Sequence, residues 1–426
     1  QTHFGLQEEA AAGAGVTCMT EEEEREKGRG FMKSWKDRVK SDYSEIRGVH
    51  HGPRKGASME QLDRELGYAK RLYVNSVRTW IGEEDWRRDP EATEKRVLEY
   101  TRLCASHGIS VMPVFSSGNQ IRSYECLTER EWEERRAYLS AMIRTLKNEP
   151  NLLMWDVYNE PFCNDYLRNC PAGEYEERYR KIRHDLRLQC QLVRELDDDT
   201  PITVGHELKE HLDSTADLVD VIAFHDYLTT REDIRKVYEY AGECAKAQGG
   251  KPVINNETGC IGRANPYELE LQFCEEFHYG YYLFNLVIEG FWAPLHGIVY
   301  PDGTIRDPSI VAAMFGFYRN RTDTRVLPQG NREEYATAAV ERVKKALAVD
   351  KQSLFTKYEA STDEILKAAE ACVNILECCE IVPMDEPPSV KLLAFLRTPE
   401  EERDRTQIRR FAYEVSRKLQ EYYCLY

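Results

Sequence analysis

Two acidic residues of this chain stand where an apolar run stops. The stretch Leu-Leu-Met-Trp-Asp-Val-Tyr-Asn-Glu-Pro, 152–161, carries Asn159 and Glu160 at its end, and Pro-Val-Ile-Asn-Asn-Glu-Thr-Gly, 252–259, carries Glu257. Packing alone gives no reason for a carboxyl at such a place. Glycoside hydrolysis does, because it needs two carboxyls facing each other across the scissile bond. Further polar and aromatic residues close other apolar runs. They are His50 and His51 after the first, Trp80 in the second, Phe115 and Asn119 around the end of the third, and His206 with Glu207 at the end of the fifth. Each is a candidate for lining a cleft, against the plainer reading of a hydrogen-bonded core histidine or a core tryptophan. Asn256, beside Glu257, is placed to orient it.

The elements that must position these residues follow from the hydrophobic pattern. Eight short apolar, β-branched runs occur, at 43–51, 74–81, 109–116, 152–159, 202–207, 219–227, 252–257 and 281–288. Between them lie charged segments with helical spacing, at 58–73, 90–107, 129–148, 175–196, 231–248 and 266–277. Strands alternating with helices of this length imply βαβ units and a parallel sheet. Eight repeats imply closure, and no glycine-rich fingerprint follows the first strand as a dinucleotide fold would require. The expected fold is therefore α/β, a (β/α)8 TIM barrel with a C-terminal helical extension. Its parts are a lead-in over 1–42, the barrel over 43–325 and the extension over 326–426, with amphipathic stretches at 333–348, 362–379 and 400–423. In such a barrel the active site gathers at the C-terminal strand ends. Strands four and seven are roughly opposite in the ring, so Glu160 and Glu257 reach across one cleft.

The set as a whole resembles the clan of retaining β-glycosidases on (β/α)8 barrels that contains family 5 cellulases and mannanases and family 2 β-galactosidases. The likeness spans about 43–318 and rests on Asn159–Glu160 at the end of strand four and Glu257 at the end of strand seven. It implies that Glu160 is the acid/base and Glu257 the nucleophile. Arg78, in Ser-Val-Arg-Thr-Trp, resembles the clan's arginine that keeps the nucleophile ionised. His225 and Tyr227, in Phe-His-Asp-Tyr, resemble its strand-six pair, and Trp292 its aromatic floor beneath the reacting sugar. On these roles, burial and the charge of Glu257 should both raise the pKa of Glu160. Asn159 should donate to the sugar 2-hydroxyl, and the two carboxyls should stand about 5 Å apart, which means retention of configuration.

Bulk composition narrows the partners. The formal charge of −16 argues against nucleic acid, which needs clustered Lys and Arg, and against anionic lipid; a carbohydrate suits it. No apolar run is long enough to span a membrane. Two carboxyls and a water suffice for the chemistry, so no cofactor is expected. No metal is expected either, since His206, His211 and His225 fall on different elements. The 13 cysteines include no C-x-x-C pair and read as mostly free thiols, which points to the cytoplasm, with secretion as the alternative because numbering begins at Gln1. The C-terminal helices either pack on the barrel or form a homo-oligomer contact. Two rival readings are a carbohydrate-binding barrel without turnover and a scaffold assembled through its tail. Within the enzyme reading, endo action on cellulose, mannan or xylan competes with exo action on short chains.

Overall fold

The computed structural model describes residues 39–316, together with Tyr318 and Pro399. The expected lead-in, but for its last residues, and the expected helical extension, but for Pro399, lie outside the described residues.

All eight apolar runs form strands: β1 (Arg47–His50), β2 (Ser76–Trp80), β3 (Ser110–Ser117), β4 (Trp155–Asn159), β5 (Ile202–His206), β6 (Ile222–Asp226), β7 (Val253–Thr258) and β8 (Gly280–Leu283). They pair in parallel, in chain order, and β8 returns to β1 through Tyr281 opposite Arg47 and Tyr282 opposite Gly48. The described helices are α1 (Met59–Arg71), α2 (Glu83–Arg88), α3 (Pro90–Ser106), α4 (Glu129–Leu146), α5 (Asp165–Arg168), α6 (Tyr175–Leu196), α7 (Arg231–Ala247), α8 (Tyr267–Phe277) and α9 (Pro308–Met314). Between β5 and β6 only a 3-10 turn, Lys209–Ser214, covers the sheet. Local chemistry starts the helices where the sequence places them. Ser58 Oγ accepts from the Gln61 amide and Asp89 from the Ala92 amide, with Pro90 in the first turn of α3. The chain therefore has the (β/α)8 architecture expected of it.

The barrel interior is layered. At its base Tyr43, Ile46, Met112, Met154, Ile254 and Tyr282 form a buried apolar cluster. The Tyr282 ring lies across Gly48, where a Cβ would come within 2.1 Å of it, so only glycine admits that ring. Above this layer the interior turns polar: Arg78 and Asp156 are fully buried there. Higher still is the mouth.

Two irregularities decide what faces that mouth. Along β4 and β5, Asp156 pairs with Thr203 and Asn159 with Gly205, three steps against two. Along β6 and β7, Phe224 pairs with Asn255 but His225 with Glu257. A bulge of this kind inserts one residue and reverses the in–out alternation beyond it. Asn255 accordingly meets Tyr238 of α7 in the outer layer, while both Asn256 and Glu257 face inward. The eight cysteines of the described residues are unpaired, and no described helix is long and apolar enough to cross a membrane.

Candidate active site

The site is organised around one cation. Arg78, from the middle of β2, is wholly buried and fans its guanidinium over two strands, β4 and β7. Nε donates to Asp156 Oδ2 at 2.7 Å, Nη1 to Glu257 Oε2 at 2.6 Å and Nη2 to Asn159 Oδ1 at 2.7 Å. Burial works against its charge, but Asp156 and Glu257 outweigh that and keep the guanidinium ionised. Such a group is tolerable inside only because every arm is paired. Gly205 of β5 makes the room: a Cβ there would lie 3.1 Å from Arg78 Nη2 and 2.6 Å from His225 Nε2.

Glu257 is gripped from both sides. Arg78 holds one oxygen and the Tyr227 hydroxyl donates to the other at 2.9 Å. Burial and the charge of Glu257 push the Tyr227 phenol far up, so it stays a donor. The Arg263 guanidinium lies 4.6 Å over the Tyr227 ring. His50, next to Arg78, donates from Nε2 to the Asn256 carbonyl at 3.0 Å.

Glu160 is held differently. It leaves β4 with φ 46°, a left-handed conformation that a residue with a Cβ adopts at a cost. Its own amide donates to Gly205 O at 2.7 Å, and its carbonyl fits only because Gly118 lacks a Cβ, which would come within 1.9 Å of it. Its carboxylate meets His225 Nδ1 at 2.8 Å. Carboxylate oxygens of Glu160 and Glu257 and a His225 nitrogen all lie within 4.8 Å of one another. A metal would find three donors here. Arg78, 2.6 Å from Glu257, would repel it, so the set suits a proton better than a divalent ion.

The electrostatics correct one expectation. Burial does raise the Glu160 carboxyl, but the hydrogen bond and charge of His225 overcome it and bring the group down to about 2. Burial lowers His225, yet Glu257 and Glu160 together raise it above its ordinary value. The contact thus favours the ionised form of Glu160 and the protonated form of His225. From sequence, the like charge of Glu257 was visible, whereas the 2.8 Å contact with His225 was not.

The structure brings Glu160, Glu257, Asn159, Arg78, His225 and Tyr227 together. Trp80, 39% exposed, stands at the end of β2 with its ring 5.6 Å from the Arg78 guanidinium carbon. His51 is not brought in: it points outward, Nδ1 to Tyr100 at 2.7 Å and Nε2 to Glu65 at 2.7 Å. Strand alternation is the reason, since His50 takes the inward position next to it. His206 likewise points away, Nε2 to Thr215 Oγ1 at 2.8 Å with its ring against Phe162. Asn119 is exposed in the turn after β3. Trp292 lies edge-on to Phe284, with centroids 5.9 Å apart, and Phe284 is the ring that meets His50 at 4.8 Å. Two site residues escaped sequence reasoning: Phe284, an aromatic just past β8, and Asp156. The signal for Asp156 was an acid inside an otherwise apolar strand.

No protein-family model matches the chain, and no curated protein does. Solved structures do. A β-galactosidase from the psychrophilic Marinomonas ef1 is similar with TM-score 0.52 at 11% identity, over 78% of this chain and 65% of its own. An endo-1,4-β-mannanase from Rhizomucor miehei gives 0.49 at 15%, over 63% and 92%. A GH2 β-galacturonidase from Eisenbergiella tayi, bound to galacturonate, gives 0.48 at 16%, over 63% of this chain and 51% of its own, so this chain spans about half of that protein. At such identities the likeness establishes the fold, a (β/α)8 barrel, and nothing finer.

Proposed function

We propose that the chain is a retaining glycoside hydrolase that cleaves β-linked oligo- or polysaccharide, with Glu160 as acid/base and Glu257 as nucleophile. The observation that carries this reading is the carboxylate pair, with oxygens within 4.8 Å across the mouth. Enzymes that invert keep their carboxyls about 6.5–9.5 Å apart to admit a water, and those that retain about 5 Å. That the Marinomonas protein sharing the fold is a β-galactosidase is in keeping with it.

On this reading Glu257, fixed by Arg78 and Tyr227, attacks the anomeric carbon and forms an ester as the bond to the leaving oxygen breaks. Glu160 gives that oxygen its proton, which at rest is held by His225 across their hydrogen bond. A water then enters, Glu160 accepts its proton, and the ester opens with a second inversion. Asn159, with Oδ1 tied to Arg78 and one N–H of Nδ2 donated to Ser117 Oγ, has the second N–H of Nδ2 for the sugar 2-hydroxyl. Trp80, exposed at the end of β2, offers an aromatic surface for the sugar. The two carboxyls and a water suffice, and no cofactor enters.

The test is a screen of aryl β-glycosides and polysaccharides with wild type, Glu160→Gln and Glu257→Gln. Each variant should lose at least about a thousandfold in kcat/KM, roughly 4 kcal/mol. Variants as active as wild type would place the chemistry elsewhere. A wild type that binds sugars but cleaves none would favour a binding barrel.

A further inference from the structure

Tyr227, whose hydroxyl donates to Glu257, stands one residue past the end of β6. There the chain leaves the sheet, and side chains from the neighbouring strand tip hold it instead. Thr258 follows Glu257 and closes β7; its Oγ1 donates to the Asp226 carbonyl at 2.7 Å. Asn265 donates from Nδ2 to the Leu228 carbonyl at 2.7 Å. Asp226 and Leu228 flank Tyr227, so the backbone is fastened on both sides of it. Asn265 can reach because the loop after β7 doubles back. Ala264 takes φ 54°, and the Asn265 backbone amide closes on the Cys260 carbonyl at 3.1 Å. The side-chain amide is fully used: Oδ1 accepts from the Gly259 amide at 3.0 Å, and the second N–H goes to Glu270 Oε1 of α8 at 2.7 Å. An N–H at Gly259 and a carbonyl at Leu228 fix which way that amide faces. The same loop carries Arg263, whose guanidinium lies over the Tyr227 ring.

Both side chains are buried, and strand alternation turns Thr258 away from the cleft while Glu257 faces into it. What they join is the segment after Glu257 to the segment around Tyr227. A hydrogen bond weakens steeply as its length and angle drift, so a bond made by a residue beyond its strand depends on what holds that residue. We propose that Thr258 and Asn265 are positioning residues for the nucleophile: they clamp the tips of β6 and β7 together and so keep the Tyr227 hydroxyl on Glu257 Oε1. This rests on the reading of Glu257 as nucleophile.

The experiment is a double-mutant cycle in the full chain. Thr258→Val and Asn265→Ala are each made in wild type and in Tyr227→Phe, and kcat and KM are measured on an aryl β-glycoside. In wild type each should lower kcat about fivefold or more, with KM within about twofold. In Tyr227→Phe, which has no hydroxyl to place, the same substitutions should cost about twofold or less. Thr258→Ser, which keeps the hydroxyl, should stay within about twofold of wild type. The same factor in both backgrounds would mean that the two residues only support the fold, and would overturn the proposal, as would an unchanged kcat in wild type. Should Asn265→Ala not fold, Thr258→Val, which keeps the shape of the side chain, carries the same comparison. A wild type that cleaves no β-glycoside, or a Glu257→Gln variant as active as wild type, would sink the nucleophile reading itself, and this proposal with it. An active wild type with an inactive Glu257→Gln keeps that failure apart from the others.

Discussion

The two carboxylates at the mouth are chemically identical and structurally opposite. Glu257 lies on a strand, with one oxygen on a buried guanidinium and the other on a phenol. Glu160 lies just past its strand, in a left-handed turn, with an imidazole as its partner. The first environment offers a fixed positive charge and a donor that does not titrate near neutrality, which suits a group required to stay anionic and still. The second offers a partner that itself holds a proton, which suits a group required to gain and lose one. The difference arises in the backbone. Bulges at β4 and β7 turn both residues inward, but only at β4 does the chain also leave the sheet at the residue concerned.

Substitutions that exchange or erase these environments are the way to break the contrast. The largest effect should come from the carboxyls themselves. In Glu257→Gly, azide should act in place of the missing nucleophile and leave an α-glycosyl azide. In Glu160→Ala, azide should attack the glycosyl-enzyme from the other face and leave the β-azide. Each variant starts from about a thousandfold loss, and the azide anomers, read by NMR, assign the roles. The same anomer from both would mean that the two are not on opposite faces.

Arg78→Met should come next. It strands Asp156 and Glu257 without a counter-charge in the interior, and about 3–5 kcal/mol of stability should be lost in urea denaturation. A variant as stable as wild type would show that the buried charges neutralise one another without it. Tyr227→Phe removes the lesser grip on Glu257. A hydrogen bond to a charged group contributes about 1.5–3 kcal/mol, so kcat should fall roughly ten- to hundredfold, with a loss of stability smaller than that of Arg78→Met.

The smallest effect is a displacement along the pH axis, and it sharpens the contrast most. With His225 raised and Glu160 brought down to about 2, the proton needed by the leaving group departs with the histidine. In His225→Asn the basic limb of kcat/KM should therefore move toward acid, as Glu160 must hold the proton alone. An unmoved limb would place that proton elsewhere. The ion pair also links to stability. Glu160, depressed when folded, contributes fully above its ordinary 4.5 and loses the contribution as pH falls toward about 2. His225, raised when folded, contributes fully below its ordinary 6.5 and loses it as pH climbs through the raised value. The Tm difference between wild type and His225→Asn should thus be greatest between these two ordinary values.

By itself the sequence determined the element order and the place of the two acids. Eight β-branched runs between amphipathic helices left little choice of architecture, and an acid closing an apolar run has to emerge at a strand tip. Residue type and periodicity are local, and they carried that far. What they could not carry is phase. A period of two holds only until a bulge interrupts it, and both strands that carry the two acids are bulged, so it took the folded sheet to turn Asn256 inward with Glu257 and Asn255 out. Unbroken alternation likewise sends His50 to the cleft and His51 to Glu65, a choice between neighbours that composition leaves open. The charge state of Glu160 was beyond the sequence for the same reason. It depends on a contact between residues 65 positions apart, and only the closed barrel sets His225 against it.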